Sequence, residues 1–412
     1  YHYCRSATSH KGIGAVIPNL IGNPDNCRLD SRSRAGMATN MLNNMAKKPR
    51  QLSPLEIKIN AWVSDHLSRV PVMQKILFVS HLKTMVKAGL SLIDALRILS
   101  EEIENKKLKM IIGEIKDGVE QGLQLSEVLA KYPKIFPSIY VSMIGAGETA
   151  GKMETALEQV SIQMKKSHEL TSRIKGAMMY PAVIIVAMIG ISIEVVVFIL
   201  PKLLIMFKDF GAELPLPTRI LIFITDFTAN YGLWMLAVII LLVITVIWLI
   251  KKPKIKRVVH ATNLKLPIIG VIIKKINLAR FTLTLSSLLE STIPIIDATR
   301  ISSEVLGNVI YKESLISVSE SLKKGEALSD ILRRFPNIFP PMVTEMIMVG
   351  ERSGKTEDML RELAEFYGNE VDTTMRNFTT IIEPIIILAL GLAVAGIAVA
   401  VIMPMYSLAD TI

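Results

Sequence analysis

Gly147-Glu148-Thr149-Ala150-Gly151-Lys152 returns in altered form as Gly350-Glu351-Arg352-Ser353-Gly354-Lys355, 203 residues further along the chain. The same offset takes Phe78 to Phe281, Asp94 to Asp297, Gly122 to Gly325, Leu125-Ser126 to Leu328-Ser329 and Phe136-Pro137 to Phe339-Pro340. It continues past the motif, from Pro181 to Pro384 and from Pro201 to Pro404. A single shift with no gap means one structural unit used twice, and the unit includes both a polar domain and the apolar segment that follows it.

Within each copy the apolar residues recur at helical spacing, as in Leu92, Ala95, Leu96 and Leu99, with Ser91 and Asp94 placed like a capping box. Gly122 ends a helix begun near Lys107, Ser126 caps a short one, and Pro133 and Pro137 bracket a turn before the helix that reaches Gly145. No alternating strand pattern is seen, so the sequence predicts two small helical bundles with short connections.

Three runs are long and apolar enough to cross a bilayer, whose hydrocarbon core of roughly 30 Å needs about 20 helical residues. They are Pro181 to Leu200, interrupted only by Ser192 and Glu194, the uncharged Leu233 to Ile250, and Pro384 to Ala409. Half the residues are hydrophobic and the mean hydropathy is +0.42, high for a soluble chain of 412 residues. The expected fold class is therefore an all-α membrane protein with two repeated cytoplasmic helical bundles and three transmembrane helices.

The formal charge of +10 gathers beside these runs, in Lys165, Lys166, Arg173 and Lys175 before the first and Lys251, Lys252, Lys254, Lys256 and Arg257 after the second. Such flanks lie on the cytoplasmic side, and no aromatic stripe interleaves them, which speaks against a nucleic-acid partner. With both bundles inside, both following helices run outward, and Leu233 to Ile250, which has no counterpart in the repeat, must be the return. The expected orientation is multi-pass in the inner membrane, with the N-terminus cytoplasmic and Asp410 outside.

The expected layout is a tail to residue 50, a linker or helix over 51–75, a helical domain over 76–177 and a membrane helix over 178–207. An outer loop over 208–232 with an amphipathic stretch, Arg219 to Phe227, leads to a membrane helix over 233–250 and a basic cytoplasmic linker over 251–277. The second domain covers 278–377, followed by a membrane helix over 378–406 and a tail over 407–412. Tyr1 to Gly36 has no apolar core of a signal peptide and no periodicity, and is read as a disordered extension or upstream sequence before a start near Met37. Cys4 and Cys27 both lie in the tail and the six histidines lack ligand spacing, so neither a disulfide framework nor a metal or cofactor site is expected.

The ordered set Phe78, Leu82, Met85, Ala88-Gly89, Leu92, Ala95-Leu96, Gly122, Leu125-Ser126, Phe136-Pro137, Gly147-Glu148, Gly151 and Tyr180-Pro181 resembles the F-family platform proteins of type II secretion and type IV pilus systems. The second copy is similar through Phe281, Leu285, Leu288, Pro294, Ala298, Gly325, Phe339-Pro340, Gly350-Glu351, Gly354, Glu383-Pro384 and Pro404; it departs at Thr292, where the first copy has Gly89 and the family usually glycine. The resemblance covers about residue 76 to the C-terminus. It implies a non-enzymatic inner-membrane platform, a homo-oligomer, that contacts a cytoplasmic hexameric assembly ATPase and other inner-membrane assembly proteins. Such a platform helps move pilin or pseudopilin subunits from the lipid bilayer into a filament.

Candidate functional residues follow from the repeat. Gly350 to Thr356 superficially resembles a phosphate loop, but only three residues separate its glycines, Val349 stands where the first glycine of that motif belongs, and no strand precedes it. A turn between helices, built on Gly147 and Gly151 and on Gly350 and Gly354, is the alternative. Glu148 and Glu351, just before a helix start, suit a cap on the positive end of that helix, and a partner contact or shared cation site is the other reading. Asp94 and Asp297 read as first-turn caps, and Pro181 and Glu383-Pro384 mark the mouths of the outgoing helices. Glu194 is a carboxylate within an apolar run, where ionisation costs about 3 kcal/mol at mid-bilayer. A small-solute transporter would need broken midplane helices, a membrane-bound enzyme a convergent acid, base or metal set, and a receptor or scaffold neither.

Overall fold

The computed structural model describes residues 70–199, 201 and 216–409, so the tail read over 1–50 and nearly all of 51–75 lie outside the described residues, as does Asp410. The first copy runs α1 (Val72–Lys87), α2 (Leu92–Glu102), α3 (Lys106–Glu120), α4 (Leu125–Ala130), α5 (Ser138–Thr149) and α6 (Met153–Glu194). Then come α7 (Leu216–Lys251) and α8 (Pro253–Lys265). The second copy is α9 (Ile269–Glu290), α10 (Ile295–Val305), α11 (Val309–Leu322), α12 (Leu328–Arg333), α13 (Pro341–Ser353) and α14 (Thr356–Ala409). No strand occurs among the described residues.

Local chemistry fixes the helix ends. Ser91 accepts from the Asp94 amide at 3.1 Å and its hydroxyl donates to the Asp94 carboxylate at 2.6 Å, a capping box that starts α2. Asn105 accepts from the Leu108 amide at 3.0 Å and starts α3. Gly122, at φ +89°, ends α3 in the left-handed region while the Leu123 amide reaches back to the Gly118 carbonyl at 3.1 Å. Each bundle closes on an aromatic pair at the repeat offset: Phe78 against Phe136 with centroids 6.0 Å apart, and Phe281 against Phe339 at 5.5 Å. All four rings are buried, each worth roughly 1.5–3 kcal/mol in burial alone.

The structure places helices at two stretches that the expected layout reads as loop and linker. The outer loop over 208–232 is helical from Leu216 onward and continuous with the return helix, so the stretch Arg219 to Phe227 belongs to α7. Between Pro217 and Lys251 no further proline occurs, and the one glycine, Gly232, weakens a helix by only about 1 kcal/mol, which is too little to break it. The basic linker over 251–277 is also helical: Lys252-Pro253 starts α8, and Pro267 separates it from α9, which begins at Ile269. Each domain runs into its apolar segment without a break. α6 carries its bundle's last helix through Pro181 for 42 residues, about 60 Å, and α14 does the same through Pro384 and Pro404 for 54 residues.

The apolar halves of α6, α7 and α14 are almost wholly exposed, with Val186, Leu241 and Leu388 each more than half uncovered. Side chains of this kind on helices of this length need a bilayer around them, and the chain is a membrane protein. Pro181 cannot donate to the Ala177 carbonyl, its helical partner. That freed carbonyl accepts from the Thr379 hydroxyl of α14 at 3.4 Å, which ties α6 and α14 together where they enter the apolar region. After Glu194 the helix widens into a π turn, Val195–Ile199, just short of Pro201.

Candidate functional site

The repeated segment is a corner between two helices, and each of its residues has a separate task. Gly147, in the last turn of α5, faces α6 so closely that a Cβ would lie 2.2 Å from the Ala156 Cβ. A Cβ on Gly350 would lie 2.8 Å from the Thr356 Cα. The second glycines, Gly151 at φ +65° and Gly354 at φ +69°, make the left-handed turn that reverses the chain. The following amides, of Lys152 and Lys355, donate to the Gly147 and Gly350 carbonyls, both at 2.8 Å. In the stretch resembling a phosphate loop, the amide of the lysine is thus directed at its own helix end rather than outward.

Glu148 and Glu351 serve a different helix from the one that follows them. The Glu148 carboxylate accepts from the Leu125 amide at 2.5 Å, from the Ser126 amide at 2.9 Å and from the Ser126 hydroxyl at 2.5 Å. Glu351 accepts from the Leu328 and Ser329 amides at 2.6 and 3.2 Å and from the Ser329 hydroxyl at 2.5 Å. Both therefore cap the short helices α4 and α12, whose own N-cap residues, Gln124 and Ala327, make no side-chain cap. Ser126 accordingly lies inside α4 and donates to the cap. The correction has a simple cause: spatial neighbours 22 residues apart are invisible to a reading of adjacent positions.

The remaining candidates are dispersed. Asp94 belongs to its capping box and pairs with Arg97 at 2.8 Å; Asp297 stands in the first turn of α10 behind Pro294, which cannot form such a box, and lies 3.6 Å from Arg300. Glu194 is exposed on α6 at the start of the π turn, and Glu383 and Pro384 are exposed on α14. No group of three or more metal-ligating side chains occurs among the described residues.

Contacts between the copies carry no one-residue signature in the sequence. Gln163 of α6 accepts from the buried Ser287 hydroxyl of α9 at 2.8 Å, Ser138 donates to Glu304 at 2.5 Å, and Arg173 pairs with Asp372. Only the last has a pattern to find: the repeat offset carries Glu169 to Asp372 and Arg173 to Arg376, placing one acid and one base at the same level on both outgoing helices. A cavity of about 310 Å³ opens beside this pair, between Lys166, Glu169 and Arg173 of α6, Ala279 and Leu283 of α9, and Glu365 and Asn369 of α14.

The family model for type II secretion system protein F matches residues 78–201 and again 281–404. The chain is similar to the type IV pilus assembly protein PilC of Thermus thermophilus, 34% identical over 367 residues that make up 89% of each chain. It is 34% identical over 348 residues to the PilC of Pseudomonas aeruginosa, covering 84% of this chain and 92% of that one. To the type II secretion system protein F of Vibrio cholerae it is 31% identical over 328 residues, 80% of each.

Proposed function

This chain belongs to the type II secretion system protein F family, whose members are non-enzymatic platforms, and from that premise we propose that it couples a cytoplasmic hexameric assembly ATPase to polymerisation of pilin or pseudopilin subunits. The observation that carries this reading is the continuity of α6 and α14. Each is a single helix from the bundle core into the apolar segment, so a force applied to a bundle reaches the membrane without a joint. A conformational change needs differential interaction energy from outside, and a motor supplies it.

In the proposed topology both bundles and the N-terminus are in the cytoplasm, α6 and α14 run outward, and α7 returns through the inner membrane. The flanking lysines and arginines support it. The bundles, with proposed limits at 76–177 and 278–377, would meet the ATPase, and the outgoing helices would meet the filament subunits, other assembly proteins, lipid and further copies of the chain. Gly147, Glu148, Gly151 and their counterparts Gly350, Glu351 and Gly354 hold the corners rigid in this scheme. Gln at Glu148 or Glu351 should lower the melting temperature and leave partner binding intact; loss of partners by a folded, inserted variant would assign these carboxylates to the interface instead.

The central test is genetic and biochemical together. Deletion should stop filament assembly or secretion while the partner ATPase still hydrolyses ATP. Purified chain should turn over no ATP, with Lys355→Ala at the same background. Cysteines placed at Lys106 and Lys323 should resist an impermeant thiol reagent in intact cells, and one at Asp410 should react. Stoichiometric ATP turnover lost in Lys355→Ala would overturn the platform reading.

A further inference from the structure

Both ends of α8 are held at the level where the chain enters its apolar segments. Only Lys252 separates its start from α7, whose exposed apolar run ends at Ile250. Its far end is fixed through α9, which runs antiparallel to α14, since Lys275 pairs with Glu370 at 2.6 Å and Glu290 with Arg361 at 3.1 Å. Ile269, six residues before Lys275, thus stands about 9 Å further along α9, level with Phe378 and Thr379 of α14. The Thr379 hydroxyl is the one that meets the Ala177 carbonyl at the edge of the apolar region. Between two ends at one level, α8 lies along the bilayer surface.

What α8 leaves uncovered suits that place. Arg257, His260 and Leu264 turn toward the second bundle, through Glu313, the Val309 amide and the core. Lys254, Val258 and Lys265, at spacings of four and seven, share another face and are exposed, Val258 by 65%. Beyond Lys265 the chain turns a corner at Leu266-Pro267 that needs a glycine to close, because a Cβ on Gly270 would lie 2.5 Å from the Leu264 carbonyl oxygen. The corner holds Leu266, Ile268, Ile269 and Val271 outward, each between 40% and 47% exposed. Among the described residues Lys251, Lys254 and Lys265 make no ion pair or hydrogen bond. The Lys252 ammonium sits 4.2 Å over the Trp248 ring, and tryptophan is a side chain that favours headgroup depth.

We propose that α8 and the corner after it form a foot on the bilayer that selects anionic lipids. Leu266, Ile268, Ile269 and Val271 enter the boundary between headgroups and acyl chains, and Lys251, Lys252, Lys254 and Lys265 take the lipid phosphates. A flank of positive charge orients a membrane helix wherever it stands along the chain. Four lysines spread along a helix in the membrane plane, beside an apolar corner, also recognise the lipid under them. The foot joins α7 to the second bundle through Arg257 and His260, so bound anionic lipid sets that bundle against the membrane plane. It depends on the bilayer around α7 and not on what the bundles bind.

The test uses the full chain in lipid nanodiscs, with Cys4 and Cys27, its only cysteines, replaced by serine and a fluorophore attached to Ile268→Cys. The nanodiscs hold equal amounts of phosphatidylglycerol and phosphatidylcholine, and one or the other is brominated near the top of its acyl chains. Both should quench the fluorophore, the brominated phosphatidylglycerol about threefold more strongly. That preference should fall toward one in 1 M salt, where the Debye length is about 3 Å. It should also be lost when Lys251→Gln, Lys254→Gln and Lys265→Gln are combined. Removing as many charges from the other flank, by Lys165→Gln, Lys166→Gln and Lys175→Gln together, should leave it near threefold. All six lysines are exposed, so both triple variants should keep the wild-type melting temperature. Absence of quenching by either lipid would place the corner clear of the bilayer, as the surface for a protein partner would be. That result, equal quenching by the two lipids in the unsubstituted foot, or an equal loss of preference in both triple variants would overturn the proposal.

Discussion

In the first copy the Ile135 carbonyl takes a hydrogen bond from the Lys75 ammonium at 3.2 Å; in the second, the carbonyl at the same place, Ile338, takes it from the Tyr311 phenol at 2.8 Å. The donors come from different helices and differ in charge, yet the backbone group they satisfy is the same. The first helices differ in the same way: α2 starts on a Ser91 capping box, whereas α10 starts behind Pro294 with no side-chain cap. Where the turn before them needs a positive φ, the first copy has Gly89 and the second Thr292, at +60°. The backbone path is thus held by requirements that several side chains can meet. At the corner glycines no other side chain fits, and there the copies keep the same residue.

The largest effects should fall on those glycines, and there the copies should part company. Gly147→Ala and Gly350→Ala each force a methyl into a closed helix crossing and should destabilise the chain by about 1–3 kcal/mol in thermal or denaturant unfolding. The obstruction in the first copy is a side chain, the Ala156 methyl, so adding Ala156→Gly should restore much of the loss. In the second it is the Thr356 backbone, and Thr356→Gly should restore nothing. Equal rescue in both would mean that the crossings are looser than their geometry.

A smaller difference is expected at the paired carbonyls. Tyr311 is fully buried, its phenol pushed well above the ordinary range by burial and by Tyr367, and Tyr311→Phe leaves the Ile338 carbonyl unpaired. The expected cost is about 1–2 kcal/mol. Lys75 is only partly buried, and the desolvation of its ammonium, which lowers its pKa, offsets part of what its hydrogen bond contributes, so Lys75→Met should cost less than about 0.5 kcal/mol. Unfolding of the two variants side by side decides whether the donors are equivalent.

How much of this could be read beforehand depends on the range of the interaction. The constant offset, the helical periods and the glycine and proline punctuation are local or internal to the sequence, and from them the repeat, the helices and the long apolar segments were legible. Glu148 and Glu351 could be singled out by recurrence, but their acceptor role is directed at helices that start 23 residues earlier. The length of α7 was hidden because Thr225, Asp226 and Asn230 interrupt its apolar run, whereas a backbone helix needs no apolar side chains to continue. Gln163 and Ser287 meet only through the packing of one copy on the other, and Gln163 has Phe366 at the offset.

Thr292 tests the turn itself. A β-branched residue in the left-handed region carries roughly 1–2 kcal/mol of strain, and glycine would remove it while adding freedom to the unfolded chain. Thr292→Gly should therefore stabilise by about 0.5–1 kcal/mol, and Gly89→Thr should destabilise by about 1 kcal/mol. The turn hydrogen bond from Ile293 to the Leu288 carbonyl, 3.1 Å, should persist in the first variant, as its counterpart from Leu90 to Met85 does in the first copy. Destabilisation by Thr292→Gly would show that the threonine side chain contributes more than its backbone strain costs.

The smallest expected effect is a dependence on pH where α8 meets the second copy. His260 accepts the Val309 amide through its ring nitrogen, which requires the neutral imidazole, and its carbonyl accepts from the Asn308 side chain at 3.3 Å. Burial, and then the charge of Lys256, push its pKa below the ordinary 6.5. The folded state therefore holds the proton more weakly than the unfolded one. Its stabilisation is full above 6.5 and is lost as the pH falls through the lowered folded value, with a slope of at most about one proton. The charged groups facing this contact are Lys256 and Arg257 of α8 and Glu313 of α11. Acidification from pH 7.5 to 5.5 should thus lower the protection of the Val309 amide, measured against its intrinsic exchange rate at each pH, by about threefold, and His260→Gln should abolish that dependence. An unchanged pH response in His260→Gln would assign it to other groups and leave α8 held by its ion pair and apolar face alone.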